Sequence, residues 1–173
     1  QHVQLPVPGR HMIGNALLNI NDVWVGVNSL LQGKPKDALS DWTRVLINST
    51  FGFAGVADVA SELGLERHNE DFGQTLGKWG APPGPYLVLP LLGPSNIRDG
   101  LSIVPDALGD PIRKLPKARD QDRTRIVRLI DTRTNFLEVE KIAESAAIDR
   151  YDLVRDAYLA RRKRLVYDGD PPE

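Results

Sequence analysis

The chain contains no cysteine. Disulfides, thiolate metal sites and cysteine nucleophiles are thereby excluded. Histidine is nearly as scarce. His2, His11 and His68 stand far apart, with no HExxH or comparable ligand spacing, so neither a metal nor another cofactor is expected. No GxSxG elbow, P-loop or GxGxxG follows a strand-like stretch, and no nucleophile–base pair stands in a familiar arrangement, so a lipid-active hydrolase or other enzyme is not expected. A formal net charge of −1 supplies no global pull toward nucleic acid or an anionic membrane. Basic and aromatic residues do not interleave as a base-stacking groove requires, so nucleic acid is not an expected partner. Strand-forming runs are almost missing, which points to a mainly α fold. There is no internal repeat, no low-complexity tract, no visible signal peptide and no cysteine for lipid attachment.

What the chain does have is a run of nineteen residues without any charge, Trp79 to Ile97, containing five prolines. Its length alone would suit a membrane span. Pro82, Pro83, Pro85, Pro90 and Pro94 forbid one, because each lacks an N–H and breaks a helix, and lipid-exposed irregular backbone is not tolerated. The run is therefore apolar, irregular chain that must be buried in protein, pressed on a partner, or sunk part-way into lipid. Tyr86–Leu89 is its one strand-like stretch and can form a short hairpin.

Charge is uneven along the 173 residues, which suit a single domain. Residues 1–111 carry 7 basic and 11 acidic side chains; residues 112–173 carry 15 and 12. Residues 10–31 have helical spacing in Ile13, Leu17, Ile20, Trp24, Val27 and Leu31, with asparagines rather than charges opposite. That pattern fits a helix buried on most sides or lying in a membrane interface. Gly33 and Pro35 separate it from a second helix, in which Ala38, Leu39, Trp42, Val45 and Leu46 form an apolar stripe and Lys36, Asp37, Asp41 and Arg44 are expected to face water.

Residues 54–63 read as a short helix ended by Gly64. Residues 69–80 read as another, capped by Asn69 with Glu70 and Asp71 in its first turn. Gly73, Gly77 and Gly80 share one face there, as if another backbone packs close. Ser95 can cap a helix bearing Ile97, Leu101, Val104 and Leu108, which Pro105 should kink or divide. The region from 120 is mostly helical, ending in a helix capped by Asp149 with Tyr151, Val154, Ala157, Tyr158 and Leu165 inward. Arg161, Arg162, Lys163 and Arg164 form a basic run near its end, suited either to a solvated face or to lipid phosphates.

The string HNEDFGQTLGKWGAPPGPYLVLPLLGPSNIRDG, residues 68–100, resembles the signature of the MlaA (VacJ) family of Gram-negative outer-membrane lipoproteins. Residues 28–60, DTRTNFL at 131–137 and 149–169 are similar to the family's flanking segments, in the family's order. The resemblance implies a ring-like arrangement of amphipathic helices with a proline-rich hairpin-like loop, in the inner leaflet of the outer membrane. It implies non-enzymatic phospholipid transport. Phospholipid mislocalised in the outer leaflet would pass through an amphipathic channel to a periplasmic lipid-carrier protein, beside a trimeric outer-membrane porin. Family members also begin with a signal peptide, a lipidated cysteine and a further N-terminal segment; these are not in this sequence, so the chain reads as an N-terminally truncated single domain.

On this resemblance, Asn69, Glu70, Asp71, Arg98 and Asp99 are candidates for the lipid path. Pro83, Pro85, Tyr86, Leu87, Leu89, Leu91 and Leu92 are candidates for a membrane-facing loop, and Gly100 for a hinge. Arg161, Arg162, Lys163 and Arg164 are candidates for holding headgroups. The alternative is a soluble adaptor that docks a protein partner through the proline-rich loop.

Overall fold

A computed structural model describes residues 7–90, 92–111 and 149–172. The expected mainly α fold is found. Helices α1 (Val7–Leu31), α2 (Pro35–Phe51), α3 (Val59–Glu62), α4 (Phe72–Lys78), α5 (Ile97–Gly109) and α6 (Arg150–Val166) account for most of these residues, with a two-stranded hairpin of β1 (Tyr86–Leu89) and β2 (Gly93–Asn96). No helix among the described residues is long and apolar enough to cross a membrane. The chain divides into two compact units, residues 1–71 with 109–111, and residues 72–108 with 112–173.

In the first unit α1 and α2 pair as an antiparallel hairpin. The turn between them is a helix stop in which Gly33, at φ 78°, takes the left-handed conformation, and the N–H groups of Gly33 and Lys34 close on Leu30 O and Ser29 O. Pro35 then begins α2, where its missing N–H costs nothing. The pairing runs through polar side chains. Asn19 Nδ2 donates to Ser49 Oγ (3.1 Å), Trp42 Nε1 to Val23 O (3.2 Å) and Asn15 Nδ2 to Val56 O (3.1 Å).

In α2 Lys36 is exposed and Ala38 buried, as expected, but four other residues reverse the expectation. Asp41 and Arg44 are fully buried, whereas Leu39 is 64% and Leu46 68% exposed. The periodicity located the helix correctly but cannot say which arc faces inward. Here the inward arc is polar because Arg44 finds enough partners there to leave water.

α3 is shorter than expected, since residues 52–58 form a tight turn instead. In that turn Phe53 and Ala54 both have left-handed φ (50° and 59°), and Phe53 projects outward, 85% exposed. Asp58 caps α3 by accepting from Ser61 N.

In the second unit α4 begins only at Phe72, so Asn69, Glu70 and Asp71 precede it rather than forming its cap and first turn. Of the three glycines expected on one α4 face, Gly80 lies past the helix at φ 95° and serves its termination. Gly77 is close-packed, and side chains fill the space beside it: a Cβ there would lie 2.7 Å from Arg98 Nη1 and 2.8 Å from Val166 Cγ2. Phe72 and Trp79 meet edge to face, centroids 6.1 Å apart.

The uncharged run folds as the expected hairpin, with Tyr86 opposite Asn96 and Leu89 opposite Gly93. α5 follows without a break. Asn96, rather than Ser95, occupies its cap and accepts from Asp99 N at 2.9 Å. Pro105 sits inside α5 without dividing it. α6 is capped by Asp149, as expected. Its Tyr151 is 55% exposed and Ala157 is exposed as well, so the inward face of α6 is narrower than the sequence suggests.

Candidate functional site

Burial among the described residues is inverted relative to a water-soluble protein. Four apolar side chains are buried, Val25, Ala38, Ala60 and Val166, against fifteen polar or charged ones. The apolar residues face outward instead. On α5, Ile97, Leu101, Val104 and Leu108 are 45–69% exposed, while Arg98, Asp99 and Ser102 on the opposite face are buried. On α1 and the turn after α2, Leu18, Leu30, Phe51 and Phe53 are exposed as well. Polar groups survive burial only when hydrogen-bonded or paired, and two networks accomplish this, one in each unit.

The network of the first unit centres on Arg44, which has no exposure. Its Nη2 donates to Asp58 Oδ1 (2.7 Å) and to Ser61 Oγ (3.0 Å), and its Nη1 to Leu65 O. Asp58 also accepts from Asn48 Nδ2. Burial alone would raise the Asp58 pKa, but the Ser61 and Asn48 hydrogen bonds and the charges of Arg67 and Arg44 outweigh it and hold the carboxyl at about 2. Asp22 goes the other way. Arg67 Nε is 3.2 Å and Arg44 Nε 3.8 Å from its Oδ2, yet neither makes an aligned hydrogen bond to that oxygen, and burial raises the pKa to about 6. Asp41, raised by burial despite His68, is 3.0 Å from His68 Nδ1.

The proposed lipid-path residues of this unit have specific places. Glu70 pairs with Lys34 Nζ (3.0 Å) and accepts from Gln32 Nε2 (2.8 Å). Asn69 is exposed and Asp71 half-buried.

The network of the second unit centres on Asp99. Its carboxylate accepts from Asn96 Nδ2 (2.7 Å), Arg98 Nε (2.9 Å) and Tyr158 Oη (2.8 Å), and Arg162 Nε lies 2.7 Å away. Burial disfavours the charged form, but the Arg162 guanidinium and the bonds from Tyr158 and Arg98 prevail, and the Asp99 carboxyl titrates below the ordinary carboxylate range. The same contact, added to burial, pushes the Tyr158 phenol up. Arg98–Asp99 is thus no exposed helix-start ion pair. It ties the cap of α5 to the C-terminal half of α6.

Beside this network is a pocket of about 420 Å³. Arg98, Arg162 and Lys163 line it, with the proline segment Pro82–Gly84 and Val166. It therefore gathers residues expected separately as lipid path, loop and headgroup contacts. The basic run divides. Arg162 turns into the Asp99 network and Lys163 borders the pocket, while Arg161 and Arg164 are exposed and outside its lining.

In the loop, Pro83 and Pro85 are exposed. Their carbonyls accept from Arg98 N (3.1 Å) and Ile97 N (3.3 Å), which binds the loop to the start of α5. Tyr86 packs edge to face on Tyr151 and Tyr158, centroids 5.7 and 6.0 Å apart. Leu87 and Leu89 are half-buried and Leu92 is 43% exposed; Leu91 lies outside the described residues. Gly100 lies within α5, where a Cβ would meet only Ser95 Oγ at 3.7 Å. Sequence reasoning missed the charged set of Arg44, Asp58 and Arg67, in which Arg44 is fully buried, and Phe53 as an outward aromatic. The low charge density of residues 10–60 was the available signal.

A helical protein whose described residues are polar inside and apolar outside offers those apolar faces to a partner or to a membrane. The comparisons agree with that class. A family model described as MlaA lipoprotein matches residues 2–165. The intermembrane phospholipid transport system lipoprotein MlaA of Shigella flexneri is 30% identical over 169 residues, covering 96% of this chain and 66% of that protein. Its namesake in Escherichia coli (strain K12) is 28% identical over 169 residues, with the same coverage. A solved structure described as the structural basis for maintenance of bacterial outer membrane lipid asymmetry superposes with a TM-score of 0.79 at 29% identity, covering 94% of this chain and 82% of that one. The chain belongs to the MlaA lipoprotein family. It spans just under two thirds, 66%, of the length of those two relatives.

Proposed function

We propose that this chain is the lipid-embedded part of a phospholipid transporter in the Gram-negative outer membrane. It removes phospholipid from the outer leaflet and delivers it to a periplasmic carrier without covalent chemistry. The observation that carries this is the inverted burial: Arg44, Asp41, Arg98 and Asp99 inside, Leu46, Leu101, Val104 and Leu108 outside. A phospholipid has a charged head and apolar tails. Its conduit needs polar groups that the head can exchange for water, inside an exterior that lipid tails can wet. The names of the relatives in Shigella flexneri and Escherichia coli support the phospholipid as cargo.

The ring-like helix arrangement, the channel through it and a trimeric porin as its neighbour belong to the same proposal. A soluble adaptor docking through its proline loop would need apolar surface at that loop alone. Here apolar side chains also face outward on α1, α2 and α5.

The test is made in cells. Deleting the gene should raise the phospholipid accessible to externally added phospholipase, and the full-length gene should restore the basal level. An unchanged accessible pool in the deletion strain refutes the transport reading. Purified protein that stays monodisperse without detergent and carries no lipid refutes the embedding.

A further inference from the structure

Among the described residues of the second unit, Arg98 is a buried cation whose hydrogen-bonding capacity is only partly used. Arg98 is 7% exposed. Its Nε bonds to Asp99 Oδ1 and its backbone N–H to Pro83 O. Its terminal guanidinium nitrogens make no hydrogen bond to any described residue, and the side chain lines the 420 Å³ pocket. Gly77 makes room for it: a Cβ there would stand 2.7 Å from Nη1. Lys163 borders the same pocket, with its Nζ donating to Pro172 O at 2.6 Å and two further protons to offer.

Asp99 pairs with Arg98 at 2.9 Å and with Arg162 at 2.7 Å, so one carboxylate is shared by two guanidiniums and positive charge is left over at the pocket. The nearby Asp168 is paired with Lys78 at 3.2 Å. A guanidinium edge left unbonded at a pocket wall offers charge-assisted donors that suit an anionic or strongly accepting ligand. Pro82, Pro83, Leu159 and Val166 give the wall an apolar part, Asn96, Arg162 and Tyr167 add polar groups, and no carboxylate lines it. The volume is that of ligand pockets, which run about 300–1,000 Å³.

From this geometry we propose that the pocket binds the phosphate of a phospholipid headgroup, with Arg98 and Lys163 as its ligands and the proline segment against the glycerol end. The assignment rests on the transport reading for its lipid source. The oxyanion chemistry is independent of that reading, and a free phosphate shares it.

The experiment measures binding to the purified chain in non-ionic detergent by titration calorimetry, with three probes: dihexanoyl-phosphatidylglycerol, glycerophosphoglycerol and inorganic phosphate. The short-chain lipid should bind best. Arg98→Gln should weaken it by about tenfold or more, as expected for loss of a charge-assisted hydrogen bond, and Lys163→Gln by about threefold or more. Arg161→Gln, an equal loss of charge outside the lining, should change it less than about twofold.

If Arg98→Gln does not fold, the contrast between Lys163→Gln and Arg161→Gln decides. Equal effects of these two, or undiminished binding in a folded Arg98→Gln, overturn the site. Inorganic phosphate binding as tightly as the lipid overturns the lipid source. Transport in cells is read separately, so a failed pocket and a failed transport reading are distinguishable.

Discussion

Helix α2 puts the inverted architecture to a direct test, because its two faces make opposite predictions for neighbouring residues. Arg44 is fully buried and Leu46 is 68% exposed. In an ordinary amphipathic helix, replacing the arginine would be harmless and replacing the leucine would unfold the protein. Here Arg44→Ala takes from Asp58 its 2.7 Å partner and leaves the buried Asp22 with Arg67 alone. Breaking a buried pair from one side costs about 3–5 kcal/mol.

Leu46→Glu removes no packed contact of consequence, and its effect on folding in water or micelles should stay within about 0.5 kcal/mol. Its effect on lipid should be large. Two thirds of a leucine's burial energy is about 1–2 kcal/mol, from about 1.5–3 for the full side chain. A carboxylate near the hydrocarbon adds up to about 2.5–3.5 kcal/mol. Together they lower vesicle partitioning by about a hundredfold or more. Chemical unfolding followed by helical circular dichroism, and flotation with phospholipid vesicles, read the two effects separately. The reasoning is refuted if Leu46→Glu unfolds the protein as Arg44→Ala does, or if it floats with vesicles as the wild type does.

Three other predictions concern packing, titration and motion. Gly77→Ala adds a methyl 2.8 Å from Val166 Cγ2, and the crowding, about 1–3 kcal/mol, should exceed the helix-propensity gain of about 1 kcal/mol. A raised denaturation midpoint would contradict the close approach of α4 and α6. Asp22 titrates at about 6 against an ordinary 3.8, so the native state keeps a proton that the unfolded chain has released. Its contribution to stability is full below pH 3.8 and disappears as pH rises through 6, a loss of about 3 kcal/mol. Asp58, held at about 2, contributes in the opposite sense, and its share is lost only as pH falls through 2. Urea unfolding at pH 4, 5.5 and 7 should show the Asp22 slope in the wild type and its absence in Asp22→Asn; a slope that survives the substitution assigns it to another group. Gly100→Ala meets only an ordinary contact and should stabilise α5 by about 1 kcal/mol. If Gly100 is a hinge, lipid clearance in cells slows as stability rises, and unchanged clearance removes that role.

The sequence by itself determined the helical class, the positions of α1, α2, α5 and α6, and the hairpin. These follow from local chemistry: apolar spacing at 3.6 residues, Pro35 at a helix start, glycine at the stops and Asp149 at a cap. It also determined the family, since the uncharged proline run and its flanks are a local signature. The boundary errors at α3 and α4 were local as well. Residues 52–58 turn through left-handed backbone at Phe53 and Ala54, which residue type disfavours rather than predicts.

Only the tertiary structure decided which face of each helix is inside. An amphipathic pattern is symmetric between a protein that buries its apolar arc from water and one that offers that arc to lipid. The difference depends on whether the polar arc finds partners distant in sequence. Arg44 finds Asp58 and Leu65, Asp99 finds Tyr158 and Arg162, and Arg98 comes to lie beside Lys163 at one pocket. Asp58 and Leu65 lie 14 and 21 residues from Arg44, Tyr158 lies 59 from Asp99, the other two pairs are farther apart still, and no spacing rule in the chain connects them.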